Sequence, residues 1–379
     1  MEYTKLKDIA TFPTGKLNSN AAVEDGMYPF FTCSHEALRI DSYSYDGEYV
    51  LLGGNNANGD FPIFYYKGKF DAYQRTYLIQ SIIPEKYSTK YLYYAISLKL
   101  SQMKRHAAGT ATKFLTQPIL KNIYIENHSR NVQDQIISII STYDNLIEVN
   151  NKRIKVLEQM AENLYKEWFV RFRFPGHEYI HFENGVPTDW KIKMFSSVAN
   201  IMSGGTPKTH NEDYYGGDIP FYTPKDSVEH YYALDTITTI TEDGLRHCNS
   251  KLYPKDTIMI TARGTVGNIN LLAVPMAMNQ SCYALSSDIV HSQYFLFFMI
   301  KREIHKLQKM ASGGVFDTII VKTFDHIKVV LPPEELIKRF HTIISPVIDS
   351  IHSLLKQNRV LIKQRDFLLP RLMSGKLEV

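Results

Sequence analysis

The chain has 379 residues, of which 44% are hydrophobic and 22% are charged, and its formal net charge is +4. This length exceeds one ordinary core and the composition excludes an intrinsically disordered chain, so we expect two folded domains. The mild positive charge is compatible with a polyanionic partner but does not require one. The longest apolar run, at 294–300, is too short to cross a bilayer, so we expect no membrane partner.

The N-terminus and the cysteines favour a cytoplasmic protein. The first ten residues, MEYTKLKDIA, carry charges where a signal peptide has its apolar core. The three cysteines, Cys33, Cys248 and Cys282, are odd in number and lack the spacing of metal ligands. We therefore expect reduced thiols, no metal and no other cofactor.

The first half of the chain is repeated in the second half. The segment YPFFT at 28–32 matches IPFYT at 219–223, and AYQRTYLI at 72–79 matches MNQSCYAL at 278–285, which aligns Gln74 with Gln280. Further along, AGTATKFLTQPILKNIYI at 108–125 matches SGGVFDTIIVKTFDHIKV at 312–329, which aligns Ile123 with Ile327. Each half has the pattern of several short strands followed by a helix of about thirty residues. The sequence therefore predicts an α+β fold with two tandem strand-rich domains.

The domain boundaries follow in chain order. We predict a first strand-rich domain over 1–130 and a long helix over 131–172. A linker and the second strand-rich domain follow over 173–332, and a second long helix with a C-terminal tail over 333–379. Prolines and glycines at 172–190 mark the change from one half to the next.

Each predicted long helix carries a heptad pattern of apolar residues that includes one asparagine. Asn150 takes a seam position in the first helix and Asn358 takes one in the second. Burying an unpaired amide is costly, so we predict an antiparallel coiled coil in the register that pairs Asn150 with Asn358. The alternative is that each helix packs only on its own domain. Pro346 is expected to interrupt the second helix, which leaves the seam positions of Phe340 and Ile344 open.

This pattern predicts a dumbbell with approximate two-fold symmetry. A helix of about thirty residues is roughly 45 Å long, which is on the order of one turn of duplex DNA. A basic protein of this shape is suited to two half-sites on one duplex, with unread base pairs between them.

Several segments, in order, resemble the specificity subunit of type I restriction-modification systems. They are FPTGKLNSNAAVEDGMYPFFTCS at 12–34, AYQRTY at 72–77, VNNKRIKVLEQMAENLYKEWFVRFRFPG at 149–176, SGGTPKT at 203–209, SCYALS at 281–286 and LLPRLMSGKLEV at 368–379. The resemblance covers nearly the whole chain. It implies two target-recognition domains that read a bipartite, gapped DNA target. It also implies helices that set the spacing and dock methyltransferase subunits, two in number, and restriction subunits that form a motor and nuclease.

Polar residues in the loops beside apolar strands are the candidate DNA contacts. Asparagine pairs well with adenine and arginine with guanine, whereas lysine, threonine and main-chain amides contact phosphate. In the first half the candidates are Lys16, Asn55, Asn56, Gln74 and Arg75; in the second half they are Thr206, Lys208, Tyr222, Arg263, Asn268, Asn279 and Gln280. The alternative is ordinary turn chemistry for the loop residues and core packing for Tyr222.

Two segments resemble catalytic motifs but do not fit them. SGGTPKT at 203–209 lacks the spacing of a phosphate-binding P-loop. HEYIH at 177–181 lies between Pro175-Gly176 and Pro187, which leaves no room for the helix that a zinc protease needs. We therefore expect a subunit without catalytic activity. The alternatives are a self-contained nuclease or methyltransferase, and a coiled-coil scaffold or stand-alone DNA-binding protein.

Overall fold

A computed structural model describes residues 2–57, 59–107, 113–183, 185–311 and 318–379. The chain divides into two compact units, Met1–Ile147 with Val360–Val379, and Glu148–Arg359. Each unit contains one strand-rich region and part of each long helix. Within the described ranges, no helix is long and apolar enough to cross a membrane.

The first unit is built around a six-stranded sheet. The strands of the first unit are β1 Tyr3–Lys5, β2 Ala10–Thr11, β3 Tyr28–Phe31, β4 Leu38–Ile40, β5 Tyr45–Gly53, β6 Asn55–Asn56, β7 Ile63–Ala72, β8 Thr76–Ser81, β9 Lys113–Phe114 and β10 Tyr124–Glu126. The sheet has the order β2-β8-β5-β7-β3-β4, and β1-β10 and β6-β9 form separate pairs. The long strands β5 and β7 pair antiparallel, with β3 parallel to β7 at the far side.

Both faces of this sheet are buried at the end of β5, whose successive side chains point to opposite faces. Val50 and Leu52 of β5 pack in one cluster with Tyr91 of a covering helix. Leu51, between them, packs on the other face with Phe31 and is likewise fully buried. The short helices of this unit are α1 Thr89–Ser97, α2 Leu100–His106 and α3 Gln117–Lys121.

The second unit repeats this plan with shorter strands. They are β11 Phe182–Glu183, β12 Val186–Pro187, β13 Lys191–Met194, β14 Asn200–Ser203, β15 Tyr215–Tyr222, β16 Tyr232–Ala233, β17 Thr239–Ile240, β18 Ile258–Thr261, β19 Ile269–Leu272, β20 Ala277–Met278, β21 Cys282–Ser286 and β22 Lys328–Leu331. One sheet has the order β14-β21-β18-β19-β16 and another β17-β15-β20. The short helices are α5 Glu242–Arg246, α6 Gln293–Ala311 and α7 Val321–Phe324. The apolar run at 294–300 lies in α6 and is buried in the core.

Matching main-chain hydrogen bonds align the two units residue by residue. In the first unit these bonds run from Leu6 N to Ile123 O, Tyr73 N to Phe31 O, Gly54 N to Arg75 O and Leu115 N to Gly54 O. In the same order, their counterparts in the second unit run from Phe195 N to Ile327 O, Asn279 N to Tyr222 O, Ala262 N to Ser281 O and Ile319 N to Ala262 O. These bonds confirm the predicted alignment of Gln74 with Gln280 and of Ile123 with Ile327. The repeated segments 108–112 and 312–317 lie outside the described residues.

The two long helices are α4 Arg130–Tyr165, which ends in a π-helical turn at Lys166–Val170, and α8 Glu334–Met373. In the first unit, the start of α4 packs with the end of α8 through Ile140 and Leu369. In the second unit, the later part of α4 packs with the start of α8 through Ile154 and Ile351. The chain directions are opposite in both units, which confirms the predicted antiparallel pairing.

The predicted interruption at Pro346 is wrong, because α8 is continuous through this residue. A proline removes one amide hydrogen, here the partner of the carbonyl of exposed Thr342, where solvent can replace it. Phe340 and Ile344, whose seam positions the sequence left open, are both fully buried. Ile348, just after the proline, is also fully buried, so packing on both sides of Pro346 stabilises the uninterrupted helix.

Candidate nucleic-acid interface

In the first unit, three of the predicted residues converge where β5 ends. Asn55 and Asn56 form β6, which pairs with β9. Arg75 lies in the turn between β7 and β8, and its carbonyl accepts a hydrogen bond from Gly54 N at 2.7 Å. A Cβ on Gly54 would lie 2.5 Å from that oxygen, so this approach requires glycine. The guanidinium of Arg75 lies 5.4 Å from the ring centroid of Phe114 in β9.

Asn55 has unused hydrogen-bonding capacity. Its Oδ1 is buried and has no hydrogen-bond partner among the residues that the structure describes. A carboxamide offers one acceptor and two donors, the set that pairs with adenine.

Lys16 and Gln74 are brought together beside this turn. Leu17 accepts a hydrogen bond from Gln74 N at 2.8 Å and donates its own amide to Ala72 O. Gln74 Nε2 donates to Asn18 Oδ1 at 2.9 Å. The side chains of Lys16 and Gln74 are both exposed, so a cation and a carboxamide share one edge of the unit.

Two lysines that the sequence did not single out extend this surface. Lys113 lies in β9, paired with Asn56. Lys104, in the basic last turn of α2, forms an exposed ion pair with Asp60 at 2.6 Å. A Cβ on Gly59 would lie 3.1 Å from Lys104 Cγ and 3.2 Å from Lys113 Cγ, so both lysine stems lie beside Gly59, three residues after β6. The basic residues at the end of α2 are the sequence feature that could have indicated Lys104 as a DNA contact.

In the second unit, Arg263 and Asn268 lie in one loop between β18 and β19, and both are exposed. The loop is closed by Thr261, whose Oγ1 accepts from Asn268 N at 2.9 Å. Gln308 Nε2 holds the middle of the loop by donating to Val266 O at 3.0 Å. We name residues 262–268 the β18–β19 loop.

Asn55 and Arg263 occupy the same position in the two units. Each residue comes directly after the residue whose main-chain amide donates one of the repeated hydrogen bonds. This residue is Gly54 in the first unit and Ala262 in the second. Asn55 pairs across strands with Phe114, and Arg263 forms the corresponding bridge with Thr318. One structural frame therefore carries a carboxamide in one unit and a guanidinium in the other.

Thr206 and Gln280 are also brought together, since Thr206 Oγ1 donates to Gln280 Oε1. Lys208, two residues along the same loop, is exposed. Asn279 is half-buried, and its Oδ1 accepts from Ser281 N at 3.0 Å within the turn between β20 and β21. Its carboxamide therefore shapes the turn that presents Gln280.

The prediction that Tyr222 contacts DNA is wrong. Its side chain is fully buried, and its hydroxyl donates to Asn270 Oδ1 at 2.8 Å. Burial raises the pKa of this hydroxyl above its ordinary value. The alternative of core packing holds, because β15 lies between β17 and β20 and its last residues point into the interior.

The seam asparagines lie side by side in the second unit. Asn150 Nδ2 donates to Asn358 Oδ1 at 2.9 Å, and both residues are buried. Asn150 also donates to Gln357 Oε1 at 2.9 Å, and Asn358 donates to Asn151 Oδ1 at 2.7 Å. The sequence reasoning missed these two outer partners, which complete a network of amides. That the network fixes the helix register stays a prediction.

The histidine segment at 177–181 is mostly irregular, with a single 3-10 turn at His177–Tyr179. Over the described part of the chain, no group of three His, Cys, Asp or Glu side chains could hold a metal ion. Cys33, Cys248 and Cys282 are free thiols, and burial raises the pKa of the Cys282 thiol.

A duplicated frame that presents different polar side chains is the architecture of a two-site recognition protein. The family model of the type I restriction modification DNA specificity domain matches residues 1–159 and 187–364. These matches cover most of the chain, which therefore belongs to this family.

Named relatives and a solved structure agree with the family. The chain is 26% identical to the type I restriction enzyme MjaIX specificity subunit of Methanocaldococcus jannaschii over 311 residues, covering 79% of this chain and 72% of the relative. It is 25% identical to the EcoDI specificity subunit of Escherichia coli over 363 residues, covering 88% and 79%. The crystal structure of the type I restriction-modification S subunit from M. genitalium shares the fold, with a TM-score of 0.66, 17% identity and coverage of 98% and 96%.

Proposed function

We propose that this chain is the DNA-binding specificity subunit of a type I restriction-modification complex. It binds duplex DNA in the cytoplasm, reads a bipartite, gapped target, and directs methyltransferase and restriction subunits to that target. The first recognition domain corresponds to residues 1–130, and 173–332 comprise a linker and the second recognition domain. The helix at 131–172 and the helix within 333–379, which also include a C-terminal tail, set the gap between the two parts. Family membership supports the proposal.

The observation that carries the proposal is the equivalence of Asn55 and Arg263. Their main-chain surroundings match bond for bond, whereas their side chains prefer different bases. A protein that reads two unlike half-sites needs this combination of a constant frame and variable contacts. Exposed Lys16 and Lys208, in the loops that bond to Gln74 and Gln280, supply phosphate contacts, which position the chain and give salt-sensitive affinity.

Methylation and cleavage are assigned to partner chains, and α4 offers them a surface. Val149, Val156 and Met160 are 50%, 55% and 55% exposed in the second unit. Their spacing of seven and four residues places them on one helix face, beside the seam that α8 occupies. A methyltransferase subunit that packs a helix on this stripe would cover it. A corresponding pair on α8 in the first unit, Val360 and Phe367, is consistent with two methyltransferase copies.

The test is a base-resolution methylation map of host DNA with this gene intact and deleted, in cells that express the partner methyltransferase. Loss of one gapped motif on deletion is the expected result, and the same map gives the target and its spacer. An unchanged map, in cells whose methyltransferase is active, would refute the proposal. Binding of the purified chain across a salt series then distinguishes a scaffold, which shows no salt slope, from a DNA-binding protein.

A further inference from the structure

In the second unit, two carboxylates of α4 hold the segment that leads into β16. Glu158 Oε1 accepts from Tyr231 N at 3.0 Å and lies 3.5 Å from His230 Nδ1. The Glu158 carbonyl accepts from the Tyr231 hydroxyl at 2.8 Å, and Glu162 Oε1 accepts from the same hydroxyl at 3.3 Å. Glu162 also accepts from Lys301 Nζ at 2.5 Å. Tyr231 is only 2% exposed, so these contacts form inside the unit.

A first chain of contacts runs from this segment to the end of the β18–β19 loop. Asn270, in β19, is fully buried and donates through Nδ2 to Val228 O at 2.9 Å and to His230 O at 2.7 Å. Its Oδ1 accepts from Ser227 Oγ at 3.1 Å and from Val228 N at 3.2 Å. Asn270 follows Asn268 by two residues, so these hydrogen bonds connect the end of the loop to the segment that Glu158 contacts.

A second chain of contacts runs through α6 to the middle of the same loop. Lys301 is tied to Glu162, and its Nζ lies 4.4 Å from the ring centroid of Tyr231. Two turns further along α6, Gln308 donates to Val266 O at 3.0 Å. Next to it, Gly267 has a φ of 90° and would carry a Cβ only 2.9 Å from Gln308 Nε2, so the loop packs tightly on the helix.

We infer that Glu158 and Glu162 are positioning residues, which fix the β18–β19 loop relative to α4 and so determine how faithfully the second unit reads its half-site. Charge-assisted hydrogen bonds in half-buried surroundings are stronger and more directional than neutral ones. A reading side chain must be held to within a fraction of an ångström, which a rigid second layer of contacts provides. The inference rests on the proposed function.

The charge state of Glu162 agrees with this role. Burial raises the pKa of its carboxyl, but the hydrogen bond and charge of Lys301 outweigh burial, and the net pKa lies below its ordinary value. The carboxylate is therefore ionised and available to both Lys301 and Tyr231 at neutral pH.

The experiment measures fidelity separately for the two parts of the target. The chain and its partner methyltransferase are expressed with a plasmid library that carries single mismatches across the mapped target, and methylation is sequenced at base resolution. Arg263→Ala identifies the part that the second unit reads. The test variants are Glu158→Gln and Glu162→Gln. The matched control is Glu148→Gln, since Glu148 is an exposed residue of α4 whose carboxylate pairs with Lys152 one turn away on the same helix.

We expect each test variant to raise methylation of targets mismatched in the second unit's part about tenfold relative to the matched target, the scale of one charged hydrogen bond. Fidelity in the other part, and all results for Glu148→Gln, stay unchanged. Fidelity equal to that of Glu148→Gln would overturn the inference, and so would an equal loss in both parts.

A charge exchange guards against a variant that folds poorly. Glu162→Lys alone should lose fidelity, and adding Lys301→Glu should restore a large part of it, because the ion pair is rebuilt. No restoration by the exchange would also overturn the inference. Failure of the proposed function gives a different result, since the wild-type chain would then direct methylation to no gapped motif.

Discussion

The two units share a main-chain frame but fasten it to the helix pair in different ways. In the first unit, Asp144 of α4 accepts from the Tyr94 hydroxyl at 2.7 Å and pairs with Arg365 of α8 at 2.9 Å. In the second unit, Glu158 and Glu162 perform this task through Tyr231. The repeated bonds are those between main-chain atoms, whereas each of the contacts to the helices involves at least one side chain. Duplication has thus preserved the frame while its attachments diverged.

The polar residues in the helix seam differ in the same way. The second unit buries a neutral network around Asn150 and Asn358, whereas the first unit uses the ion pair of Asp144 and Arg365. A buried amide pair is specific in register because each member is costly alone. A half-exposed ion pair is more tolerant, since solvent can replace either partner. Register should therefore be fixed mainly from the second unit.

The largest effect is expected from Asn150→Leu, which leaves the Asn358 amide without its central partner. We expect a loss of about 2–3 kcal/mol in the free energy of unfolding, measured by denaturant titration. The double variant Asn150→Leu with Asn358→Leu should recover most of this loss, because both amides are removed together. Asn163→Leu, at an exposed position of α4, is the control. Single and double variants with the same stability and target spacing would contradict the pairing.

The repeat and the helix seams could be predicted from the sequence because their signals are local. Heptad spacing identifies the face of a helix that is buried. The free-energy cost of burying an unpaired amide then predicts that Asn150 pairs with Asn358. Strand alternation and aligned segments likewise predict that Gln74 corresponds to Gln280. In each case the relevant residues lie within one element or repeat in the same order.

The errors and omissions arise where distant elements meet. Tyr222 lies in the repeated segment IPFYT, and its aromatic ring suits either a DNA contact or core packing; a strand on either side of β15 buries it. Pro346 is a helix breaker by its own chemistry, and the packing of its neighbours overrides it. The equivalence of Asn55 and Arg263 was missed because insertions change the alignment offset along the chain. The contact of Glu158 with Tyr231 joins residues far apart in sequence, so no local pattern indicates it.

The next largest effect tests whether the equivalent residues Asn55 and Arg263 each read a base in a different part of the target. Arg263→Ala should cost about 1–3 kcal/mol of base discrimination at one position, and Asn55→Ala should do so at one position in the other part. A methylation map on a randomised target measures both. Lys208→Ala is the control, since loss of a phosphate contact weakens binding at all sequences alike and lowers the salt slope by about 1. If both alanine variants relax the same part, the assignment of one part to each unit is wrong.

A smaller effect is expected from Arg365→Met, which removes the ion pair of the first unit. Both partners are 29% exposed, so we expect a loss of only about 1 kcal/mol. The loss should shrink in high salt, measured as the difference in unfolding free energy between wild type and variant. The Asn150→Leu difference should stay constant over the same series. A salt-independent loss for Arg365→Met would show that packing of the arginine stem, and not its charge, stabilises this seam.

The smallest effect concerns His230, which has no counterpart among the fastening contacts of the first unit described above. The Glu158 carboxylate, 3.5 Å from Nδ1, raises the pKa of His230 above its ordinary value of 6.5; burial opposes this rise, and the charge of Glu229 adds to it. A raised pKa in the folded state means that protonated His230 stabilises the second unit. This contribution is fully present below the ordinary pKa and is lost as the pH rises through the raised value.

Thermal unfolding of wild type and His230→Gln, from about pH 5 to about pH 9, should therefore show a difference that is largest in acid and disappears in base. His210→Gln, at an exposed position of the same unit, is the control. A difference that grows with pH would mean that Glu158 does not hold the imidazolium, and that the second unit is fastened to α4 through Tyr231 and Lys301 alone.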